Sequence, residues 1–267
     1  MKPITDAVGQ QILVAKPPQR VVCLAPYVAD ASVLLGATPC IVGMSDECAQ
    51  PTNTSAIPYV GRTREPNMAM IRSLDPDLVI AATDATPERA LADLIQLHKP
   101  VFHVHANTVQ DGLALVDNLG AILWRNRAAT SIQREIEEAI MHAGQWGFAH
   151  QPRVLCITWE EPMCLAGRKS YAHDLIQIAG GINIAPMSAR SQVEIDHDVL
   201  RDLKADVILL QDYPDRLGQN HVESIFVHVG CQATLDGRVH LVSGRNMIYP
   251  GPRTAAALNT LIKLFHP

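Results

Sequence analysis

The chain has 267 residues, of which 48% are hydrophobic and 18% are charged, and its net charge is −5. This length suits two small domains or one large one, and the composition is that of a globular protein that is neither disordered nor membrane-embedded. The negative charge and the absence of a Lys/Arg cluster exclude nucleic acid as a partner. No apolar run approaches the roughly 18 residues that a transmembrane helix needs.

The N-terminus and the cysteines leave the cellular compartment open. Met1–Asp6 lacks the apolar core of a secretion signal, so we expect either a cytoplasmic protein or one whose leader has been replaced by Met1. Cys23 and Cys156 lie inside apolar strand patterns and are expected to be buried. The other four cysteines are candidates for disulfide bridges, but the sequence does not show which of them would pair: Cys40, Cys48, Cys164 and Cys231.

Short apolar, β-branched runs alternate with helical patterns in both halves of the chain. In the first half, strands are predicted at 21–24, 40–43, 78–82 and 101–104, and helices at 29–35 and 87–97. In the second half, strands are predicted at 154–158, 207–210 and 239–242, and helices at 171–179, 198–203 and 253–265. Strands that alternate with helices are typical of parallel sheets covered on both faces. The sequence therefore predicts an α/β protein with two Rossmann-like lobes and parallel-type sheets.

A single long α-helix is predicted between the two halves. Apolar residues recur at helical spacing from Trp124 to Ala143, with charged residues between them. The predicted organisation is an N-terminal α/β lobe over 1–122, a linking helix over 123–148 and a C-terminal α/β lobe over 149–267. We expect one stiff helix to brace the lobes and to restrict their closure.

Aromatic residues fall where several predicted strands end or shortly beyond. Open α/β sheets bind ligands at the carboxyl ends of their strands, and Asp84 follows one such strand. With these ends facing a cleft between the lobes, the aromatic side chains would supply flat apolar surface with a polar rim; packing at the lobe edges is the alternative. The candidates are Tyr27, Trp159, Tyr213 and Tyr249.

Sequence motifs along the whole chain match a known family. They are Arg20–Pro26, Leu34–Ala37, Ile41–Ser45, Leu74–Ile80, Leu175–Asn183 and Tyr249–Thr254. In order and spacing they resemble the helical-hinge (class III) substrate-binding proteins of ABC importers, which have the helical backbone metal receptor fold. The final motif resembles the cobalamin-binding, BtuF-like branch most closely.

The resemblance implies a periplasmic, monomeric protein that captures a cobalt corrinoid in the interlobe cleft and delivers it to an ABC permease dimer. Haem or a ferric siderophore is the alternative ligand, because such binding proteins share one scaffold. A cytoplasmic sensor or metallochaperone that uses the same binding fold is a further alternative.

Two arginines follow Val60-Gly61 in a loop that the resemblance places near the cleft mouth. The guanidinium groups of Arg62 and Arg64 suit propionate, amide or hydroxamate groups through their fixed set of donors. Solvated surface charge is the alternative. Arg253 opens the last predicted helix, where a structural role and ligand contact are both open.

Docking on a permease is expected to depart from the family pattern. Family members resemble one another in presenting an acidic residue on each lobe to arginines of the permease, but Ala69 stands at the first position. The second position aligns with Asp198, while Asp196 is interpreted as a helix N-cap. Glu65 could compensate from the adjacent loop, although docking would be weakened because charge complementarity sets orientation and on-rate.

Catalysis and a resident metal are not predicted. His103 and His105 lie two apart in a predicted strand and are expected on one face, but the sequence offers no further ligands for a free metal ion. An axial contact from His105 to a corrinoid or haem, or a simple surface role, is favoured instead. No nucleophile elbow, P-loop or dinucleotide-binding motif occurs, so we expect no enzyme and no catalytic residue.

Overall fold

The protein is seen here as a computed structural model. It describes residues 3–50, 56–96, 98–146, 151–186, 188, 190–214, 217–218, 221–222, 233, 236 and 238–267, without the side chains of 197, 198 and 201. The chain divides into two compact units. The first comprises Met1–Ala106 with Gln110–Arg134, and the second comprises Asn107–Val109 with Glu135–Pro267.

The first unit is built on a four-stranded parallel sheet. Its elements are β1 (Ile4–Thr5), β2 (Gln11–Ile12), β3 (Val21–Cys23), α1 (Pro26–Leu34), β4 (Ile41–Met44), β5 (Gly61–Arg62), β6 (Glu65–Pro66), α2 (Met68–Ser73), β7 (Leu78–Ala82), α3 (Glu88–Ile95) and β8 (Val101–Val104). The sheet order is β4-β3-β7-β8. All five residues of β7 are buried, as expected for a central strand covered on both faces.

The N-terminal hairpin β1–β2 covers the edge strand β8. The Oδ1 of Asp6 accepts hydrogen bonds from the backbone N–H groups of Val8 and Gln10, at 3.1 and 2.8 Å. Its Oδ2 accepts from the backbone N–H of His103 at 3.1 Å and lies 2.7 Å from the Nδ1 of the same histidine. A buried carboxylate with several partners thus fixes the hairpin to the sheet. This hairpin is not evident from the sequence, because its strands are only two residues long.

Two helices follow the first sheet. They are α4 (Val109–Ile122) and α5 (Asn126–Gly144). The 19 residues of α5 correspond to about 28 Å at 1.5 Å per residue. The division between the two units falls inside α5, after Arg134. Trp124 was predicted to lie on the long helix, and this is wrong: it lies in the turn before α5 with φ 57°, and 38% of it is exposed.

The second unit contains a mixed sheet. Its elements are β9 (Arg153–Trp159), β10 (Cys164–Ala166), α6 (Tyr171–Ile178), β11 (Ile182–Asn183), β12 (Gln192–Glu194), α7 (His197–Asp202), β13 (Val207–Gln211), β14 (Val239–Val242), α8 (Gly244–Ile248) and α9 (Thr254–Phe265). The order is β12-β10-β9-β13-β14, with β11 also paired to β9. The predicted strands β9, β13 and β14 run parallel, whereas β10 and β12, which the sequence analysis missed, are antiparallel.

The thiols of the described cysteines are free. Cys23, Cys40, Cys48, Cys156 and Cys164 are all buried, which confirms the expected burial of Cys23 and Cys156; Cys231 lies outside the described residues. Within the described chain, none of the helices combines the length and the hydropathy that a membrane crossing requires.

Candidate functional site

In the first unit, Tyr27 and Asp84 meet at the carboxyl ends of β3 and β7. The Tyr27 hydroxyl donates to Asp84 Oδ1 at 2.8 Å. Burial of the ring, followed by the nearby Asp84 charge, raises the pKa of Tyr27 above its ordinary value, so the phenol stays protonated and keeps donating. Only 7% of Tyr27 is exposed, so its ring offers little open surface, contrary to the flat face expected from the sequence.

His105 lies beside this pair. Its Nδ1 is 3.4 Å from Thr83 Oγ1 and 4.0 Å from Asp84 Oδ1, and 47% of its side chain is exposed. His103, two residues earlier in β8, is instead buried against Asp6. The two histidines therefore have separate partners. Among the described residues, no group of three His, Cys, Asp or Glu side chains is arranged to hold a metal ion.

The two candidate arginines lie on the β5–β6 hairpin. Arg62 on β5 lies opposite Glu65 on β6 in the strand register, and Arg64 lies in the turn between them. All three residues are exposed. The turn is held from below by Thr63, whose backbone N–H and hydroxyl donate to Glu47 Oε2 at 3.1 and 3.2 Å.

Buried contacts hold the hairpin, so the arginines project from a fixed base. The Thr63 hydroxyl lies 3.2 Å from Ser45 Oγ, and both residues are buried. This support is not evident from the sequence, because Glu47 and Thr63 belong to no motif. Arg64 and Asp84 also line one cavity, of about 520 Å³, in this unit.

In the second unit, two tyrosines and an arginine form a cluster beyond the carboxyl end of β13. The Tyr249 hydroxyl donates to the Tyr213 hydroxyl at 2.9 Å, and the two rings meet edge to face with centroids 5.8 Å apart. The guanidinium carbon of Arg245 lies 5.3 Å from the centre of the Tyr213 ring, within the range of a cation–π contact. Arg245 was missed in the sequence, where only its place directly after a strand-end glycine pointed to it.

Gly244 makes this cluster possible. A Cβ at Gly244 would lie 2.0 Å from the backbone oxygen of Tyr213, so no larger residue fits without moving the tyrosine. The Gly244 N–H donates to Asp212 Oδ1 at 2.7 Å. Together these contacts hold the backbone of Asp212 and Tyr213 against Gly244, the first residue of α8.

Trp159 ends β9, as the sequence predicts, and 36% of it is exposed. Its indole N–H donates to the backbone oxygen of Glu161 at 3.0 Å. Next to it, Glu160 Oε2 lies 3.1 Å from His221 Nε2. Because His221 Nδ1 accepts from the Gly218 N–H at 2.9 Å, the proton of the neutral ring sits on Nε2 and is donated to Glu160.

The residues considered for docking lie on two helices and a hairpin. Ala69 is exposed in the first turn of α2, which Asn67 caps by accepting from the Met70 N–H. Asp198 lies in α7, and its side chain is outside the described part of the chain; Asp196 occupies the predicted N-cap position without a side-chain capping bond. Arg253 is the N-cap residue of α9.

The structure therefore brings some of the candidate residues together and not others. Tyr27, Asp84 and Arg64 share one region of the first unit, and Tyr213 contacts Tyr249 in the second. For all of these residues, and for Arg62 and Trp159, ligand contact stays a prediction, as does the placement of the ligand in a cleft between the lobes.

Comparison with known proteins fixes the family. Residues 21–222 match the family described as "Periplasmic binding protein", and the chain belongs to this family. A vitamin B12-binding protein of Pectobacterium carotovorum subsp. carotovorum (strain PC1) is 24% identical over 204 residues, which span 75% of this chain and 74% of the relative.

Solved structures share the fold. The periplasmic vitamin B12-binding protein BtuF of Vibrio cholerae aligns with a TM-score of 0.78 at 18% identity and covers 93% of this chain and 97% of its own. The periplasmic heme-binding protein RhuT from Roseiflexus sp. RS-1 aligns with a TM-score of 0.79 at 22% identity and covers 93% and 98%. The predicted family and α/β fold are confirmed, and the class of function is that of a substrate-binding protein.

Proposed function

We propose that this protein reversibly captures a cobalt corrinoid, without chemical change, for delivery to an ABC permease dimer. The observation that carries the proposal is the presence of two partly exposed aromatic side chains, Trp159 and Tyr213, at the carboxyl ends of strands of the second sheet. Trp159 ends β9 and is 36% exposed, and Tyr213 is held beyond β13 by Tyr249, which is itself buried and offers little open surface, contrary to the expectation from the sequence. Rigid aromatic side chains bind flat macrocycles with little loss of conformational entropy.

The relatives support this choice of ligand. A curated relative is named a vitamin B12-binding protein and matches three quarters of the chain. The family description also supports a periplasmic location. Transport requires release as well as capture, and a site without chemistry suits that task.

For permease docking, we propose that Glu65 and Asp198 supply the acidic contacts. Glu65 is exposed on β6, four residues before Ala69. Ala69 is also exposed and occupies the position at which the family resemblance predicts an acidic residue. A carboxylate at Glu65 instead of at position 69 would change the orientation in which the protein docks on the permease, because charges at the rim of an interface chiefly affect orientation and association rate.

A ligand panel tests the proposed function. Purified protein is titrated with cyanocobalamin, dicyanocobinamide, haemin and ferrichrome while tryptophan fluorescence is followed, with free tryptophan as the control for light absorption by each ligand. Saturable quenching by micromolar corrinoid, absent with ferrichrome, is the expected result. Saturation by haemin with no response to either corrinoid would overturn the corrinoid proposal and leave the fold unchanged.

Haem is the second candidate ligand, and the exposed arginines of the β5–β6 hairpin favour it. Arg62 and Arg64 carry guanidinium groups that could pair with the two propionates of haem, and a structure with the same fold is described as heme-binding. Its signature is a Soret shift on addition of haemin. Under this alternative the shift weakens in Arg62→Ala and Arg64→Ala, whereas Arg72→Ala, an exposed arginine of α2, leaves it unchanged.

A further inference from the structure

A cavity of about 520 Å³ lies in the first unit where β7 ends and α3 begins. That volume is within the ~300–1,000 Å³ typical of sites for small molecules. Its polar lining comes from two separate segments, the tip of the β5–β6 hairpin and the β7–α3 connection. The polar residues that line it are Arg64, Thr83, Asp84, Thr86 and Glu88.

The lining combines hydrogen-bond donors and acceptors. Arg64 carries only donors, while the carboxylates of Asp84 and Glu88 carry only acceptors. Tyr27 donates to Asp84 Oδ1 and is buried, so this carboxylate is fixed in orientation. The cavity therefore offers both hydrogen-bond donors and acceptors to a ligand, and the orientation of one acceptor, the Asp84 carboxylate, is fixed.

The charges decide which polar group fits. A ligand carboxylate would gain from Arg64 but would be repelled by both Asp84 and Glu88, and a ligand cation would gain from these two carboxylates but would be repelled by Arg64. A primary amide avoids both conflicts, because its oxygen accepts from Arg64 and its NH₂ donates to a carboxylate.

We infer that this cavity is a subsite for primary amides, and that it selects the amidated edge of a corrinoid over macrocycles that carry carboxylates. The inference rests on the proposed function and deepens it. Corrinoids such as cobinamide bear acetamide and propionamide side chains, whereas cobyrinic acid bears carboxylic acids in their place and haem bears propionates.

A matched pair of ligands tests the inference. Dicyanocobinamide and dicyanocobyrinic acid share the macrocycle, the cobalt and both axial cyanides, and differ chiefly in amide against carboxylate. Their dissociation constants are measured by equilibrium dialysis. The wild-type protein is expected to bind the amide at least tenfold more tightly, and Asp84→Asn/Glu88→Gln is expected to reduce that preference to threefold or less.

The control variant changes charge by the same amount on the same unit. Asp93→Asn/Asp117→Asn removes two exposed carboxylates that do not line the cavity, and it should retain the tenfold preference. Equal affinities of the wild-type protein for the two corrinoids, or a preference that survives Asp84→Asn/Glu88→Gln, would overturn the inference alone. If neither corrinoid binds the wild-type protein, the proposed function itself fails, and the inference with it.

Discussion

At the scale of single residues, the contrast between Trp159 and Trp124 separates ligand contact from structure. The two indoles are almost equally exposed, at 36% and 38%. Trp159 ends β9 at the carboxyl edge of the second sheet, whereas Trp124 lies in the α4–α5 turn. Because Trp124 lies exposed in a turn and not on the long helix, we expect its substitution to have little effect on stability.

Trp159→Ala is expected to weaken corrinoid binding at least tenfold. Burying an indole face against a macrocycle contributes on the order of 2–3 kcal/mol, which corresponds to roughly 30- to 150-fold in affinity. The free energy of unfolding should change by about 1 kcal/mol or less. Equilibrium dialysis and urea unfolding measure the two effects, with Trp124→Ala as the control that keeps its affinity. A loss of several kcal/mol of stability in Trp159→Ala would instead place this indole in the core.

The cysteines are expected to be inert in the folded protein. Burial raises the pKa of Cys48 to about 11 and that of Cys156 to about 12, and thiolates are the reactive form. In a Cys231→Ser variant, which removes the one cysteine outside the described residues, a chromogenic disulfide reagent at mildly alkaline pH should find almost no reactive thiol. Five should react after unfolding in guanidinium, one for each buried cysteine. Rapid stoichiometric reaction of a thiol in the folded variant would contradict the buried, free state.

At the scale of elements, the N-terminal hairpin depends on one carboxylate. Asp6 accepts from Val8, Gln10 and His103, and its side chain is fully buried. Removal of the carboxylate leaves several donors without partners, which is costly for buried groups.

Asp6→Ala should therefore lower the free energy of unfolding by about 2–4 kcal/mol. It should also speed amide hydrogen exchange in β1, β2 and β8, since the hairpin covers the edge of the sheet. Urea unfolding and hydrogen exchange check both expectations, with the exposed Asp117→Ala of α4 as the comparison. Equal stability of the two variants would show that Asp6 does not anchor the hairpin.

Gly244 is the corresponding test in the second unit. The steric conflict of a Cβ with Tyr213 predicts that Gly244→Ala costs about 1–3 kcal/mol and displaces the Tyr213–Tyr249 pair, so corrinoid affinity should fall as well. In Gly144→Ala the new Cβ meets no atom within 4 Å, so this variant should be neutral or slightly stabilising. Thermal unfolding compares the two, and a Gly244→Ala protein as stable as Gly144→Ala would contradict the close packing seen here.

At the scale of the whole molecule, the fold could be predicted because the longer strands are clear apolar runs between turn residues. Leu78–Ala82, Val101–Val104 and Val239–Val242 were predicted to the residue, because β-branched runs between turn residues have few other interpretations. Most strands of two or three residues, such as β10, have too little pattern to detect, and their pairing depends on partners distant in sequence; β3 could be predicted because its three residues are all apolar.

The candidate site was less accessible to prediction than the fold. Strand ends pointed to Tyr27 and Asp84, but only the structure shows that the tyrosine is buried and hydrogen-bonded to the aspartate. Glu47 supports the hairpin and Thr86 lines the cavity. Both residues reach these places through tertiary contacts, which local sequence patterns do not reveal.

Equilibrium dialysis against cyanocobalamin tests the central claim most directly, because it counts bound ligand without relying on a spectral change. We predict about one corrinoid per chain at saturation, with a dissociation constant of about 1 μM or tighter, equivalent to at least ~8 kcal/mol. The corrinoid released on denaturing the protein should be chemically unchanged. No binding at tens-of-micromolar ligand, or recovery of a chemically altered corrinoid, would contradict the account.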